Sequence, residues 1–92
     1  MEIKEFTWND ENIEHILLHG INPDEVEDVA FDDEPWIKVG KGRTRYMLGY
    51  SVGGRYLYVV YILNQEGVAK VITALDMDAK TRRLYNRRRK KS

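Results

Sequence analysis

The chain has 92 residues, 42% of them apolar and 33% charged, enough for a single domain with a small core. It contains no cysteine, which excludes disulfide scaffolds, thiolate zinc sites and cysteine nucleophiles. The formal net charge is zero, yet residues 1–34 hold twelve acids and one base while residues 35–92 hold fourteen bases and three acids, an asymmetry expected of a domain that meets a polyanion or an acidic protein. No apolar run approaches the roughly 18 residues of a membrane span, and Met1-Glu2-Ile3-Lys4-Glu5 has no signal-peptide character. The expectation is a soluble, cytoplasmic domain over 1–92.

Ile3 to Trp8 alternates apolar and polar, which predicts a short strand. Asn9 caps a helix near 9–19 with Asp10, Glu11 and Glu14 at its positive end, an Ile13–Ile16–Leu17 stripe, and Gly20 as its stop. Asn22-Pro23-Asp24-Glu25 starts a second helix near 22–31, with Val26, Val29 and Ala30 as its stripe. Trp36 to Val39 is a strand, and Gly40-Lys41-Gly42 a turn.

From Arg43 to Ser51 the pattern alternates again. Thr44, Tyr46, Leu48 and Tyr50 share one face, and Arg43, Arg45, Met47 and Gly49 the other. Gly53-Gly54 signals a hairpin. Residues 55–63 are apolar or aromatic on both faces after Arg55, which predicts a central strand covered on both sides. A turn at 64–67 and a strand over 68–75 follow, and Asp78 caps a last helix to about Arg88 that docks through Leu84 and Tyr85. The fold class is α+β: a short N-terminal strand, two helices packed on an antiparallel β-meander, a basic C-terminal helix, and a basic tail at about 86–92.

His15 and His19 stand at i, i+4 without a third ligand spaced to complete a metal site, so no metal and no cofactor is expected. His19 beside a helix end is a candidate proton carrier, with a plain capping role as the alternative. The arginines are the stronger signal. Arg43, Arg45 and Arg55 fall on strands; Lys80, Arg82, Arg83, Arg87, Arg88 and Arg89 fall on the last helix, and 80–92 holds eight bases and no acid. Guanidinium groups clamp phosphates bidentately and tyrosines stack on bases, so RNA is the expected partner.

Several motifs resemble the BrnT-like toxin family: Phe6-Thr7-Trp8, the His19-Gly20 pair followed by Asn22-Pro23-Asp24-Glu25-Val26-Glu27, Arg45 to Gly49, Gly54-Arg55-Tyr56-Leu57-Tyr58-Val59-Val60-Tyr61, and Val71-Ile72-Thr73-Ala74 with Arg82-Arg83-Leu84-Tyr85. The resemblance runs from Phe6 to about Tyr85. It implies a RelE-like fold and a metal-independent endoribonuclease that cuts messenger RNA by 2′-OH attack. It also implies a hetero-oligomer with a cognate DNA-binding antitoxin, such as a ribbon–helix–helix protein. Carried over by position, His19, Arg45, Arg82 and Tyr85 become the catalytic candidates; the basic residues themselves make Arg43, Arg55, Lys80, Arg83, Arg87, Arg88 and Arg89 the RNA-binding ones. Two positions depart from the family pattern: Leu75 stands where it has arginine and Thr81 where it has glutamate. The alternative is a catalytically weakened relative that acts as an antitoxin- or nucleic-acid-binding module.

Overall fold

The computed structural model describes residues 3–32, 35–51 and 53–90, so the last two residues of the expected basic tail lie outside the described residues. In chain order the elements are β1 (Glu5–Thr7), α1 (Asp10–Leu17), α2 (Pro23–Asp32), β2 (Trp36–Val39), β3 (Thr44–Tyr50), β4 (Tyr56–Leu63), β5 (Val68–Asp76) and α3 (Ala79–Lys90). They form a small α+β fold with one five-stranded sheet, ordered β1-β5-β4-β3-β2. Strands β2 to β5 are the expected antiparallel meander, with β4 at its centre. The sheet as a whole is mixed, which corrects the purely antiparallel expectation. β1 adds to the edge parallel to β5, with Phe6 opposite Ala69. Alternation over three residues marks a strand but not the edge it joins, and a parallel neighbour can be far away in sequence.

Both N-terminal helices begin with reciprocal caps. The Asn9 side chain accepts from the Asn12 N–H at 2.9 Å, and Asn12 Oδ1 accepts from the Asn9 N–H at 2.8 Å. Asn12 also donates through Nδ2 to the Thr7 carbonyl at 3.1 Å, which ties α1 to β1. Asn22 and Glu25 repeat the arrangement ahead of Pro23. After α1 the Ile21 N–H bonds the Ile16 carbonyl and the Gly20 N–H bonds the Leu17 carbonyl, the bond pair of a Schellman motif. Gly20 takes φ 73° there, where a β-carbon would be strained.

The two helices and the turn between them bury Ile16, Ile21, Val26 and Val29 against Leu57, Val59 and Tyr61 of β4, all with no exposure. The opposite face of β4 is different. Tyr56, Tyr58 and Val60 are only half-buried. Coverage on both sides, as expected from composition, is complete on one side and partial on the other. A single helix, α3, crosses the second face, so Ile62 and Ile72 remain about two-fifths exposed at 40% and 42%. Ile72 is also the extra residue of a bulge, since Val60 pairs with Thr73 and Tyr61 with Val71.

Candidate nucleic-acid interface

α3 starts at Asp78, whose carboxylate accepts from the Thr81 N–H at 2.7 Å. The Thr81 hydroxyl and N–H bonds hold the Asp78 carboxyl below its ordinary value, and Lys80 and Arg83 add to the effect. Thr81, one of the two departures from the family pattern, therefore closes the cap of this helix. The first turn carries no acid of its own, and the run of cations toward the C-terminus complements the helix dipole.

The helix docks mainly by stacked cations. Tyr85 is buried at 2% exposure beneath it, edge-on to Tyr56 with centroids 6.0 Å apart. The Arg82 guanidinium lies 4.2 Å above the Tyr56 ring, and Arg88 lies 4.8 Å above Trp36. Arg89 lies 5.8 Å from the Tyr85 ring and donates to its hydroxyl at 2.7 Å. Lys38 approaches Trp36 to 5.3 Å. Each such contact is worth about 0.5–1 kcal/mol at a partly exposed site. Leu84, expected to dock beside Tyr85, instead points outward at 44% exposure.

A guanidinium over an aromatic ring still has N–H donors to offer a further acceptor. Among the described residues, no acceptor engages the side chain of Arg82 or of Arg88 by a hydrogen bond. Lys80, Arg83 and Arg87 are exposed along the outer side of the helix. The sheet floor beside it carries Tyr46 and Tyr58, with ring centroids 5.8 Å apart. Burial pushes the Tyr58 hydroxyl above its ordinary range, with Tyr46 adding to the shift.

The other expected site residues lie elsewhere. Arg45 points to the α1–α2 face, beside Tyr61 in register. Its Nη1 donates to the Gly42 and Thr44 carbonyls at 3.1 and 3.0 Å, and its Nε is buried with no partner among the described residues. Tyr56, under Arg82, is five residues further along β4, about 17 Å away, on the opposite face. The structure therefore does not bring Arg45 and Arg82 to one phosphate. Arg43 is exposed at the Arg45 end of the sheet, and its carbonyl accepts from the Leu63 N–H.

His19 is exposed in the turn after α1, with its ring 6.1 Å from that of His15. That turn is at the Arg82 end of the sheet but on the other face. Arg55 lies between them as a clamp. Its Nη1 donates to the Gly20 carbonyl at 2.6 Å and to Glu25 at 3.2 Å, and its Nη2 donates to both oxygens of Asp76 at 3.0 and 3.1 Å. These contacts hold the α1–α2 turn to the end of β5 and leave Arg55 within the protein's own polar network.

The chain matches no protein-family model, no curated protein and no solved structure.

Among the expected residues, then, the structure gathers Arg82, Tyr85, Arg88 and Arg89 on the inner side of α3 and Lys80, Arg83 and Arg87 on its outer side. Tyr56, one of the tyrosines expected to stack on bases, instead carries Arg82, and Trp36 and Lys38 belong to the same surface without a sequence signal that marks them. Leu75 is on that face of the sheet as well, opposite Tyr58 in register. Among the described residues, no three histidine, aspartate or glutamate side chains converge on a common point, and no helix is long and apolar enough to cross a membrane.

Proposed function

We propose that the protein is an RNA-directed factor of the toxin–antitoxin type. Its RelE-like domain would engage single-stranded RNA through α3 and cleave it by attack of the ribose 2′-OH on the adjacent phosphate. The observation that supports this most is the acid-free helix itself, where Arg82 and Arg88 lie over aromatic rings with no hydrogen-bond acceptor among the described residues. Preorganised charged donors bind a phosphate and stabilise the charge that develops as it is attacked. On this reading Arg82 and Arg88 hold phosphates, Lys80, Arg83 and Arg87 follow the backbone, and Tyr46 and Tyr58 offer faces for bases. A DNA-binding antitoxin is the natural cognate partner for such a surface.

Two specific observations favour a second reading, a binding module without cleavage. Arg45 is separated from Arg82 by the thickness of the sheet and about 17 Å of strand. Leu75 and Thr81 place no charge on the α3 face where the family pattern has arginine and glutamate.

The two readings part in one assay. The purified chain is incubated with RNA in excess EDTA, and the ends of any products are characterised. Cleavage that leaves 2′,3′-cyclic phosphates, and that falls about a hundredfold in Arg82→Ala, supports the nuclease. Binding without cleavage, with cleavage gained in the Leu75→Arg, Thr81→Glu double variant, supports the module. Neither binding nor cleavage by folded protein would overturn both.

A further inference from the structure

α1 presents an exposed stripe that the RNA-binding reading leaves unused, and the outer stripe of α3, which that reading gives to the RNA backbone, is open to a second surface when no RNA is bound. On α1, Glu11, Glu14, His15 and Leu18 fall at i, i+3, i+4 and i+7, and all are exposed. Leu18 is 83% and its neighbour Leu17 52% exposed. These residues line a shallow groove. On α3, Lys80, Arg83, Leu84 and Arg87 have the same spacing and are exposed as well, with Leu84 at 44%. The α1 stripe thus carries two acids, a histidine and a terminal leucine, and the α3 stripe three bases around a leucine. Equal spacing makes both stripes about 10 Å long.

The two stripes cannot meet within one molecule. α1 packs on the face of the sheet that carries Leu57 and Val59, and α3 packs on the face that carries Leu48 and Tyr56. We infer that the outer stripe of α1 is a docking surface for the outer stripe of α3 in a second copy of this chain. Charge complementarity across the two helices selects the occupant. A net charge of zero means that the copies do not repel one another as they approach. Because donor and acceptor stripes lie on opposite faces, the contact is heterologous. It does not close into a dimer but repeats as an open stack. The area is well below that of a standard interface, so association is weak and sensitive to salt.

The test is sedimentation equilibrium or light scattering of the full chain without RNA. At roughly hundreds of micromolar protein and low salt the average mass should rise steadily with concentration, without a plateau at a dimer. Raising the salt to about 0.3 M should weaken association at least tenfold. Glu11→Lys with Glu14→Lys should abolish it, as should Arg83→Glu with Arg87→Glu. The altered side chains are exposed, and circular dichroism checks that both variants fold. Mixing the two reversed variants restores opposite charges at every junction, so the mixture should associate although neither variant does alone. A monomeric parent at low salt would overturn the inference and leave α3 to RNA or to an acidic partner protein. So would a mass that stops at a dimer. So would loss of association on reversing α3 but not α1, since the basic helix would then meet a different acidic surface.

Discussion

Replacing Arg55 by alanine separates a structural role from an RNA-binding one. The side chain is 31% exposed and makes two kinds of contact. Its arm to Asp76 is a bidentate pair, but Asp76 is 60% exposed, so solvent screens it to about 0.5 kcal/mol. Its arm to Glu25 is better shielded, because Glu25 is 19% exposed, while the same nitrogen's bond to the Gly20 carbonyl is exposed. Charge-assisted hydrogen bonds there contribute roughly 1.5–3 kcal/mol together once screening is allowed for. The loss in Arg55→Ala should be about 3 kcal/mol, or roughly 15 °C in the midpoint of thermal unfolding for a domain of this size. Double-mutant cycles should show coupling above about 1 kcal/mol with Glu25→Gln and below about 0.5 kcal/mol with Asp76→Asn. RNA affinity, measured well below the new midpoint, should be unchanged. An unchanged midpoint together with weakened RNA binding would refute the clamp and return Arg55 to the phosphate contacts expected from sequence.

Val59→Asp should leave the chain unfolded by circular dichroism, because it places an unpaired charge at a position with no exposure. A folded variant would refute the assignment of β4 as the centre of the core. Tyr85→Ala should release α3 and leave the sheet in place, seen as lost amide protection over 79–90 with the β4 amides still protected; uniform loss across the molecule would contradict a separately docked helix. The Asp78 carboxyl is held low by its bonds to Thr81, so the cap is fully present above the ordinary aspartate value and is lost as pH falls through the lowered one. Hydrogen exchange in the first turn of α3 should accelerate over that acid range, and Asp78→Asn, which caps without titrating, should flatten the response. The same acceleration in the Asn variant would place the pH sensitivity elsewhere.

The local signals carried most of the fold. Caps at Asn9, Asn22 and Asp78, the glycine stop at Gly20, period-two alternation over β3 and the continuous apolar run of β4 each report a short-range preference that the tertiary structure reinforces. The parallel pairing of β1 with β5 was not legible, because Phe6 and Ala69 are 63 residues apart and three residues of alternation do not specify an edge. At the candidate site the identity of the α3 cations was legible but their division of labour was not. Searching for an apolar stripe points to Leu84, whereas the side that meets the sheet holds buried Tyr85 with the exposed Arg82, Arg88 and Arg89 over aromatic rings. Long cationic side chains can cover an aromatic floor as well as an aliphatic residue does. Arg55 resembled its neighbours Arg43 and Arg45 in sequence, and only the folded chain brings Glu25 and Asp76 to it.

The central claim is that α3 binds RNA through its outward cations. It is tested most directly by the affinity of the full chain for a single-stranded oligoribonucleotide across a salt series, beside Arg83→Ala with Arg87→Ala. Log affinity should fall linearly with log salt, and removing two phosphate contacts should make the slope shallower by roughly 1.4 without changing the thermal midpoint. Absence of binding at low salt, or the same slope in parent and variant, would contradict the claim.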